Sequence, residues 1–562
     1  MENQKNLILA VVFSIIVLVV FDTFFAPKTT DIEDKRFDQD SAVSTEEKNI
    51  PIISDKIKSE DQNLLQEKRL TFDMKRLRGS INLYGATLDD IVLKDYFKSL
   101  DNSAKNVELL KKEGTTSPYF LRMGWASTNR TLKFPDKNTL WLAEKESYKK
   151  GQKIILSWEN GQGLYFTRKI SFDDNFLISV EDSVENKSKE KVKITNFTYL
   201  QRKNYRPQNK FFILHEGPLG VFNDTLKEVS YDDIEENNEI IETTTNGWIG
   251  YTDHYWQVAI FPDVKEKFKA RFKNIKASDN SIQVDYINEE LRVVEPNSSI
   301  TSKSYIFVGA KEVPLIDKYI EELGINKFDL SVDFGWFYFL TKPLFYALNY
   351  ISLGVGNFGI GIVILTILIR IILFPLANKS FKSMNAMRIL TPEIQKIRER
   401  YKDDKQKMNQ EMFAMYKEKK INPAAGCLPI LIQIPIFFAL YKVLFVSIEM
   451  RHAPFFGWIK DLSAPDPTTI FNLFGLIPWD PPLFLTIGIW PLIMGLTMYL
   501  QQKINPPPPD PLQAKIFMML PFIFTFLLAT FASGMVIYWT VNNILSIGQQ
   551  YILLKKQKKQ TT

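Results

Sequence analysis

The sequence predicts an α-helical polytopic membrane protein with six transmembrane helices and a large all-β exported domain. Three observations lead there. Apolar runs of membrane-crossing length crowd the chain after residue 353. Residues 69–330 instead show short runs that alternate apolar and polar positions, separated by Gly, Asn and Asp. The segments between apolar runs are strongly basic on one side of the predicted membrane only.

The chain has 562 residues, of which 45% are hydrophobic, but that average joins a polar first half to a very apolar second half. The formal net charge of +6 therefore acquires meaning only loop by loop. A single cysteine, Cys427, excludes an internal disulfide framework; it has no neighbouring histidine and is read as packing.

The first apolar run, Leu7 to Phe21 and on to about Phe25, makes 1–27 a signal anchor. Phe24, Phe25 and Ala26 lack the small-x-small pattern of a cleavage site, so the anchor is expected to stay attached. Residues 28–68 are rich in Asp, Glu, Lys, Ser and Gln, cannot bury enough surface to order, and read as a disordered tether. From 69 to 330, runs such as QKIILSWEN, LYFTRKISF, FLISVEDSVEN and TSKSYIFVGA predict the strands of a β-sandwich. Within it, His215-Glu216 and Asp253-His254 place histidines beside carboxylates, the residue types of general acid and base chemistry; as isolated pairs they read first as ordinary polar groups. Residues 331–352 crowd aromatics around Pro343, and predict an amphipathic interfacial helix broken at that proline.

The second span, 353–378, carries Arg370 inside its apolar run. A guanidinium keeps its proton, and mid-bilayer placement costs on the order of 3 kcal/mol. Thr366 lies one turn earlier and shares its face, so a wet polar cavity between helices is one reading. Snorkelling toward Lys379 is the other.

Residues 379–421 hold 12 basic and 6 acidic side chains and read as a cytoplasmic helical hairpin. Thr391-Pro392 is expected to start its first helix, and Asp403 or Asp404 to cap its second. Ile394, Ile397 and Tyr401 form one apolar stripe; Met408, Met412, Met415 and Tyr416 form the other, as a seam between the helices or an adaptable surface. Arg388, Arg398 and Arg400 mark its charged contacts.

Further spans are predicted at 422–448, 483–503, 515–532 and 533–554. An outer loop covers 449–482, a Pro-rich cytoplasmic turn 504–514, and a basic tail 555–562. The tail's Lys555, Lys556, Lys558 and Lys559 are candidate ribosome or anionic-lipid contacts. With six spans, both termini and every basic segment face the cytoplasm and the β-domain faces out. The intramembrane polar residues Gln433, Tyr538, Asn542 and Asn543 must then pair or meet water, and Thr525 and Ser533 are expected to bond between helices.

The runs TILIRIILFPL (366–376), KSFKSMNAMRILTPEIQ onward from Lys379, DLSAPDP (461–467) and SGMVIYWTVNN (533–543) are similar to those of the YidC membrane-protein insertase family in its long Gram-negative form. The resemblance is strong over the last 230 or so residues and looser over the exported domain. It implies a β-supersandwich before a five-helix insertase core, in the bacterial inner membrane with the β-domain periplasmic. It also implies a hydrated groove for nascent integral membrane proteins, with Arg370 as the groove arginine and Thr366 as a substrate contact. A tyrosine contact of the family falls at Trp539, where this chain departs from the pattern. Implied partners are the Sec translocon, the ribosome and anionic lipids; no DNA, metal or cofactor is expected. No phosphate-binding GxxxxGK[ST] loop occurs, and no enzymatic role is expected. Two rival functions keep their place: transport of a small anionic solute or lipid through Arg370, and sugar modification by the exported domain around His215 and His254.

Overall fold

The computed structural model describes residues 67–101, 103–205, 214–263, 266–275, 281–419, 428–475, 486–505 and 511–561, with 477, 479, 481 and 482. The expected anchor, nearly all of the tether, Cys427 and the Pro-rich stretch 506–510 lie outside the described residues. So do the side chains of Lys556, Lys558 and Lys559. The chain divides into two compact units, one ending at Asp333 and one beginning at Phe334.

The first unit is the expected sandwich. Its larger sheet runs, neighbour by neighbour, through Glu239–Thr244, Phe268–Asn274, Ser281–Asn288, Val192–Lys203, Tyr119–Ala126, Thr87–Phe97, Leu77–Asn82, Arg69–Asp73 and Ser147–Lys149. The second runs through Thr225–Glu228, Gly217–Phe222, Trp248–Thr252, Trp256–Phe261, Ser298–Ala310, Leu177–Asn186, Leu164–Phe172, Ile154–Glu159 and Leu142–Ala143. Period-two alternation is why: Ile178, Val180 and Val184 are buried while Ser179, Glu181 and Ser183 between them are not. Contacts cross from sheet to sheet. Arg168 Nη2 donates to the Met123 carbonyl at 2.9 Å, Tyr251 Oη to that of Ile282 at 2.7 Å, and the Tyr119 and Tyr251 rings meet edge to face.

Two helices follow within this unit. Helix α1, Tyr231–Asn237, begins with a reciprocal cap between Ser230 and Asp233. Helix α2, Val313–Leu323, has Val313, Leu315, Ile316 and Tyr319 buried and ends on Gly324 at φ 66°, in the left-handed region.

The second unit is helical: α3 (Tyr338–Val355), α4 (Phe358–Arg400), α5 (Lys405–Glu418), α6 (Leu428–Val446), α7 (Ile489–Ile504), α8 (Pro511–Leu528) and α9 (Ser533–Thr561). Among the described residues α4 is the one helix long and apolar enough to cross a membrane; Leu431–Val446 and Ala514–Leu528 are shorter apolar stretches. Helix α9 packs against α7 and α4, α7 against α8, and α3 against α4 and α6.

The prolines behave differently from expectation. Pro343 lies inside α3 without breaking it, and the Thr341 hydroxyl bonds the Phe337 carbonyl at 2.9 Å in that turn. Pro392 does not open a hairpin helix, because α4 runs through it and through Pro375. Thr391 is an interior residue whose hydroxyl bonds the Met387 carbonyl at 3.3 Å, not a cap. A proline removes one donor and one i→i−4 bond, and an otherwise helical sequence on both sides absorbs that loss. Helix α9 likewise continues through the basic tail expected as a separate segment.

The second hairpin helix starts as expected: Asp404 accepts from the Lys407 amide at 3.0 Å. Leu390, Ile394 and Met415 form a buried seam, with Ile397, Met412 and Tyr416 packed against it.

Candidate functional site: a polar seam among α4, α6, α7 and α9

Helix α9 carries two polar faces: Asn542 and Ser546, four residues apart, share one, and Asn543 and Gln550, two turns apart, share the other. On one, Asn542 and Ser546 meet Arg370 of α4. Arg370 Nε donates to Asn542 Oδ1 at 2.8 Å, and Nη2 donates to the Asn542 carbonyl at 3.1 Å and to Ser546 Oγ. The guanidinium is half-buried, and no carboxylate lies within ion-pair distance of it among the described residues. One turn earlier on the same face, Tyr538 accepts a hydrogen bond from Gln433 Nε2 of α6. Arg370, Asn542, Gln433 and Tyr538 are thus placed as two neighbouring bonded groups.

On the other face, Asn543 Nδ2 donates to Thr497 Oγ1 of α7 at 3.2 Å, and Gln550 Nε2 to Asn505 Oδ1 at 3.0 Å. These contacts tie α9 to α7 where an all-apolar helix would lack a fixed register.

Two expected groove residues are placed differently. Thr366 is buried, and its hydroxyl donates to the Ile362 carbonyl of its own helix at 2.6 Å. Trp539 points to α6 and α8, its ring 4.8 Å from Phe437 and 5.9 Å from Phe524, beside the buried cluster of Met494, Leu528 and Val536. Thr525 and Ser533, expected to bond between helices, do not. Thr525 bonds the Pro521 carbonyl within α8, and Ser533 bonds the Ala464 carbonyl in the segment between α6 and α7. A hydroxyl within reach of a carbonyl one turn back needs no partner helix.

Ser546, Thr497, Asn505 and Gln550 were not singled out by the sequence reading. The signal was available: Asn542, Ser546 and Gln550 recur every four residues on the helix that carries Tyr538. In the hairpin, Arg388 and Arg400 are exposed, Arg398 and Met408 are half-buried, Met412 joins the seam, and Lys555 is exposed.

In the β-sheet unit the histidine and carboxylate pairs are spoken for. Asp253 takes two hydrogen bonds from Arg202, at 2.7 and 3.0 Å, and Arg202 stacks over Tyr205. Burial and the neighbouring Asp253 leave Glu216 readier than usual to hold a proton. Burial pushes the His215 imidazole down from its ordinary range, and its Nε2 lies 2.9 Å from the Pro218 carbonyl. His254 stacks on Tyr255.

The family described as the YidC periplasmic domain matches residues 69–347, and that described as 60Kd inner membrane protein matches 350–560. Relatives named membrane protein insertase YidC include that of Pelagibacter ubique, 43% identical over all of both chains. That of Rickettsia felis is 41% identical over 99% of each chain. A crystal structure of an active YidC insertase with its first transmembrane domain resolved aligns with 87% of this chain and 93% of its own, at 17% identity and a TM-score of 0.35. A galactose mutarotase-like protein from Lactobacillus casei aligns with 43% of this chain at 9% identity and a TM-score of 0.30. With both family matches and full-length relatives above 40% identity, the chain belongs to the YidC family of membrane protein insertases.

Proposed function

We propose that this chain inserts nascent integral membrane proteins into the bacterial inner membrane through a hydrated groove whose binding charge is Arg370. The single observation that carries this reading is the state of that guanidinium. Two of its nitrogens are held by α9, no carboxylate answers its charge among the described residues, and it sits within the one helix of clear membrane-crossing length. An unneutralised, positioned cation inside an apolar helix is stabilised by water or by an acidic group that comes to it.

On this reading five helices of the second unit, α4, α6, α7, α8 and α9, form the core, and the anchor at 1–27 makes the sixth span. Both chain termini and the basic hairpin lie in the cytoplasm and the β-sheet unit in the periplasm, as the basic residues of 379–420 and the tail favour. A short, weakly charged outer segment of the substrate enters the groove and places an acidic residue near Arg370. Because the groove is wet, less hydrocarbon remains to be crossed. The segment passes outward while its apolar helix leaves sideways into lipid past Gln433 of α6. Differential binding of the half-inserted state drives the step, without nucleotide. Arg388, Arg398 and Arg400 of the hairpin, with the basic tail, are contacts for the ribosome or anionic headgroups, and the Sec translocon is a working partner.

The test is insertion of a small two-span membrane protein into liposomes that hold only the purified chain. Native protein, Arg370→Lys and Arg370→Ala are compared by protease protection of the substrate. Protection with native protein and Lys but not with Ala is the expected result. Native protein that protects no more substrate than empty liposomes would sink the proposal.

A further inference from the structure

The basic end of the helical unit holds a recess that the groove does not use. It lies where α4 leaves its apolar stretch, between α4, the end of α7 and residues 550–554 of α9, and encloses about 30 Å³, room for a single hydroxyl-sized group beneath an open rim. Its apolar wall includes Met384, Ile504 and Leu554, and its polar rim includes Lys382 and Arg388. Both cations are exposed, and neither has an acidic partner within 4.0 Å among the described residues. Gln550 also lines the recess. It is 5% exposed; its Nε2 is bonded to Asn505, and its Oε1 is buried without a partner among the described residues.

These features specify a ligand. Two unpaired cations select a phosphate, which a lysine or arginine binds through charge-assisted hydrogen bonds. A buried acceptor without a donor is destabilising, and a ligand hydroxyl placed there relieves it. The apolar wall and the level of the recess, one turn beyond the apolar run that ends near Lys379, suit a molecule anchored in hydrocarbon.

We propose that this recess binds the headgroup of an anionic glycerophospholipid of the phosphatidylglycerol class. The phosphate sits between Lys382 and Arg388, and a headgroup hydroxyl donates to Gln550 Oε1. A lipid seated there wedges α4 against α7 and α9 at the cytoplasmic mouth of the groove. The inference rests on the membrane placement proposed above, but not on insertion itself.

The test is native mass spectrometry of the full chain released from micelles with added phosphatidylglycerol, phosphatidic acid, phosphatidylcholine or soluble glycerol 3-phosphate. Native protein is expected to retain phosphatidylglycerol over phosphatidylcholine, and a Lys382→Gln/Arg388→Gln double variant to retain it roughly thirtyfold less well, from about a fivefold effect per surface cation. Lys402→Gln/Lys417→Gln, two exposed hairpin lysines with the same charge change, serves as control and should match native. Gln550→Leu is expected to erase the preference for phosphatidylglycerol over phosphatidic acid, which lacks the headgroup hydroxyls. Soluble glycerol 3-phosphate competing as well as the lipid would replace a lipid site with a free-phosphate site. Equal retention by the Lys382/Arg388 variant and the control would overturn the proposal, and that arm does not depend on Gln550 variants folding. Loss of insertion with lipid selectivity kept would count against the groove alone; the reverse pattern would count against the lipid site alone.

Discussion

Arg370 and Asn542 are joined twice, through the side-chain oxygen at 2.8 Å and through the main-chain carbonyl at 3.1 Å. The second bond uses a carbonyl that any residue at 542 would supply, and the first uses the amide alone. Asn542 is therefore the group that fixes the direction of the guanidinium. Hydrogen bonds to a charged group contribute about 1.5–3 kcal/mol. Asn542→Leu is expected to keep the fold and to lower the initial insertion rate in liposomes roughly tenfold. Ser546→Ala should change it less than threefold, because the Nη2 bond to the Asn542 carbonyl remains. An Asn542→Leu chain inserting at the native rate would show that the direction of Arg370 does not matter.

Helices α7 and α8 approach each other at Gly495. A Cβ at that position would lie 2.0 Å from Thr525 Oγ1 and 3.2 Å from Thr525 Cβ. The threonine oxygen is held there by its bond to the Pro521 carbonyl at 2.7 Å, so it does not swing aside freely. Small residues allow such backbone approach in membrane helices. Gly495→Ala should lower stability by about 1–3 kcal/mol through overpacking. Adding Thr525→Ala removes the obstructing oxygen and should restore most of the loss. Thermal unfolding of the four proteins of this cycle in one detergent reads the coupling; additive effects would mean that the two residues do not meet as described.

Much of this arrangement was readable from the residues, and the parts that were not share a cause. Period-two alternation located strands such as Leu164–Phe172 and Leu177–Asn186, because one face of each meets the opposite sheet. Asp404 announced the start of α5 because capping is local chemistry. Arg370 stood out because a charge in an apolar run is costly wherever it lies. Partners across helices were not legible: nothing near Arg370 in the chain names Asn542, which is 172 residues away. Thr366 and Arg370 share a helix face in sequence, yet Thr366 is buried while Arg370 reaches α9, since rotation against neighbours decides exposure. Pro343 reads as a break and Pro392 as a helix start because propensity counts the lost bond and cannot count the helical turns on its other side.

Asp466 organises the segment between α6 and α7. Its Oδ1 accepts from Trp458 Nε1 at 3.1 Å and from the Thr468 amide and hydroxyl at 3.0 and 2.7 Å. Its Oδ2 accepts from the Trp490 amide in the first turn of α7 at 2.9 Å, capping a helix that its own N-cap residue, Gly488, leaves uncapped. A side chain at 488 would stand 2.4 Å from Asp466 Cγ, so glycine there lets the carboxylate approach. Asp466→Ala is expected to cost about 2–3 kcal/mol. Asp466→Asn should cost less, because it keeps one of the two acceptor oxygens while losing the other and the charge. Fluorescence-detected size exclusion after heating checks the order. An Ala variant as heat-resistant as native would remove Asp466 from this role.

In the β-sheet unit Lys311 is 2% exposed, and its Nζ donates to Thr252 Oγ1 at 3.0 Å. Burial lowers its pKa to about 8, opposed by the nearby charges of Asp253, Asp333, Glu216 and Glu228. The unfolded chain, with the ordinary lysine value of 10.5, binds more protons between those limits. Stability therefore rises with pH from about 8 toward 10.5, and the penalty is fully present below pH 8. Lys311→Met removes the titration. At pH 7 the variant should be more stable than native, by up to about 3 kcal/mol. That gap should narrow as pH rises from 8 and close above 10.5, where native Lys311 is neutral in both states. Tryptophan fluorescence melting of the full chain at half-unit pH steps reads the difference between the two proteins. A gap that stays constant from pH 7 to 10 would show that Lys311 does not titrate in this window.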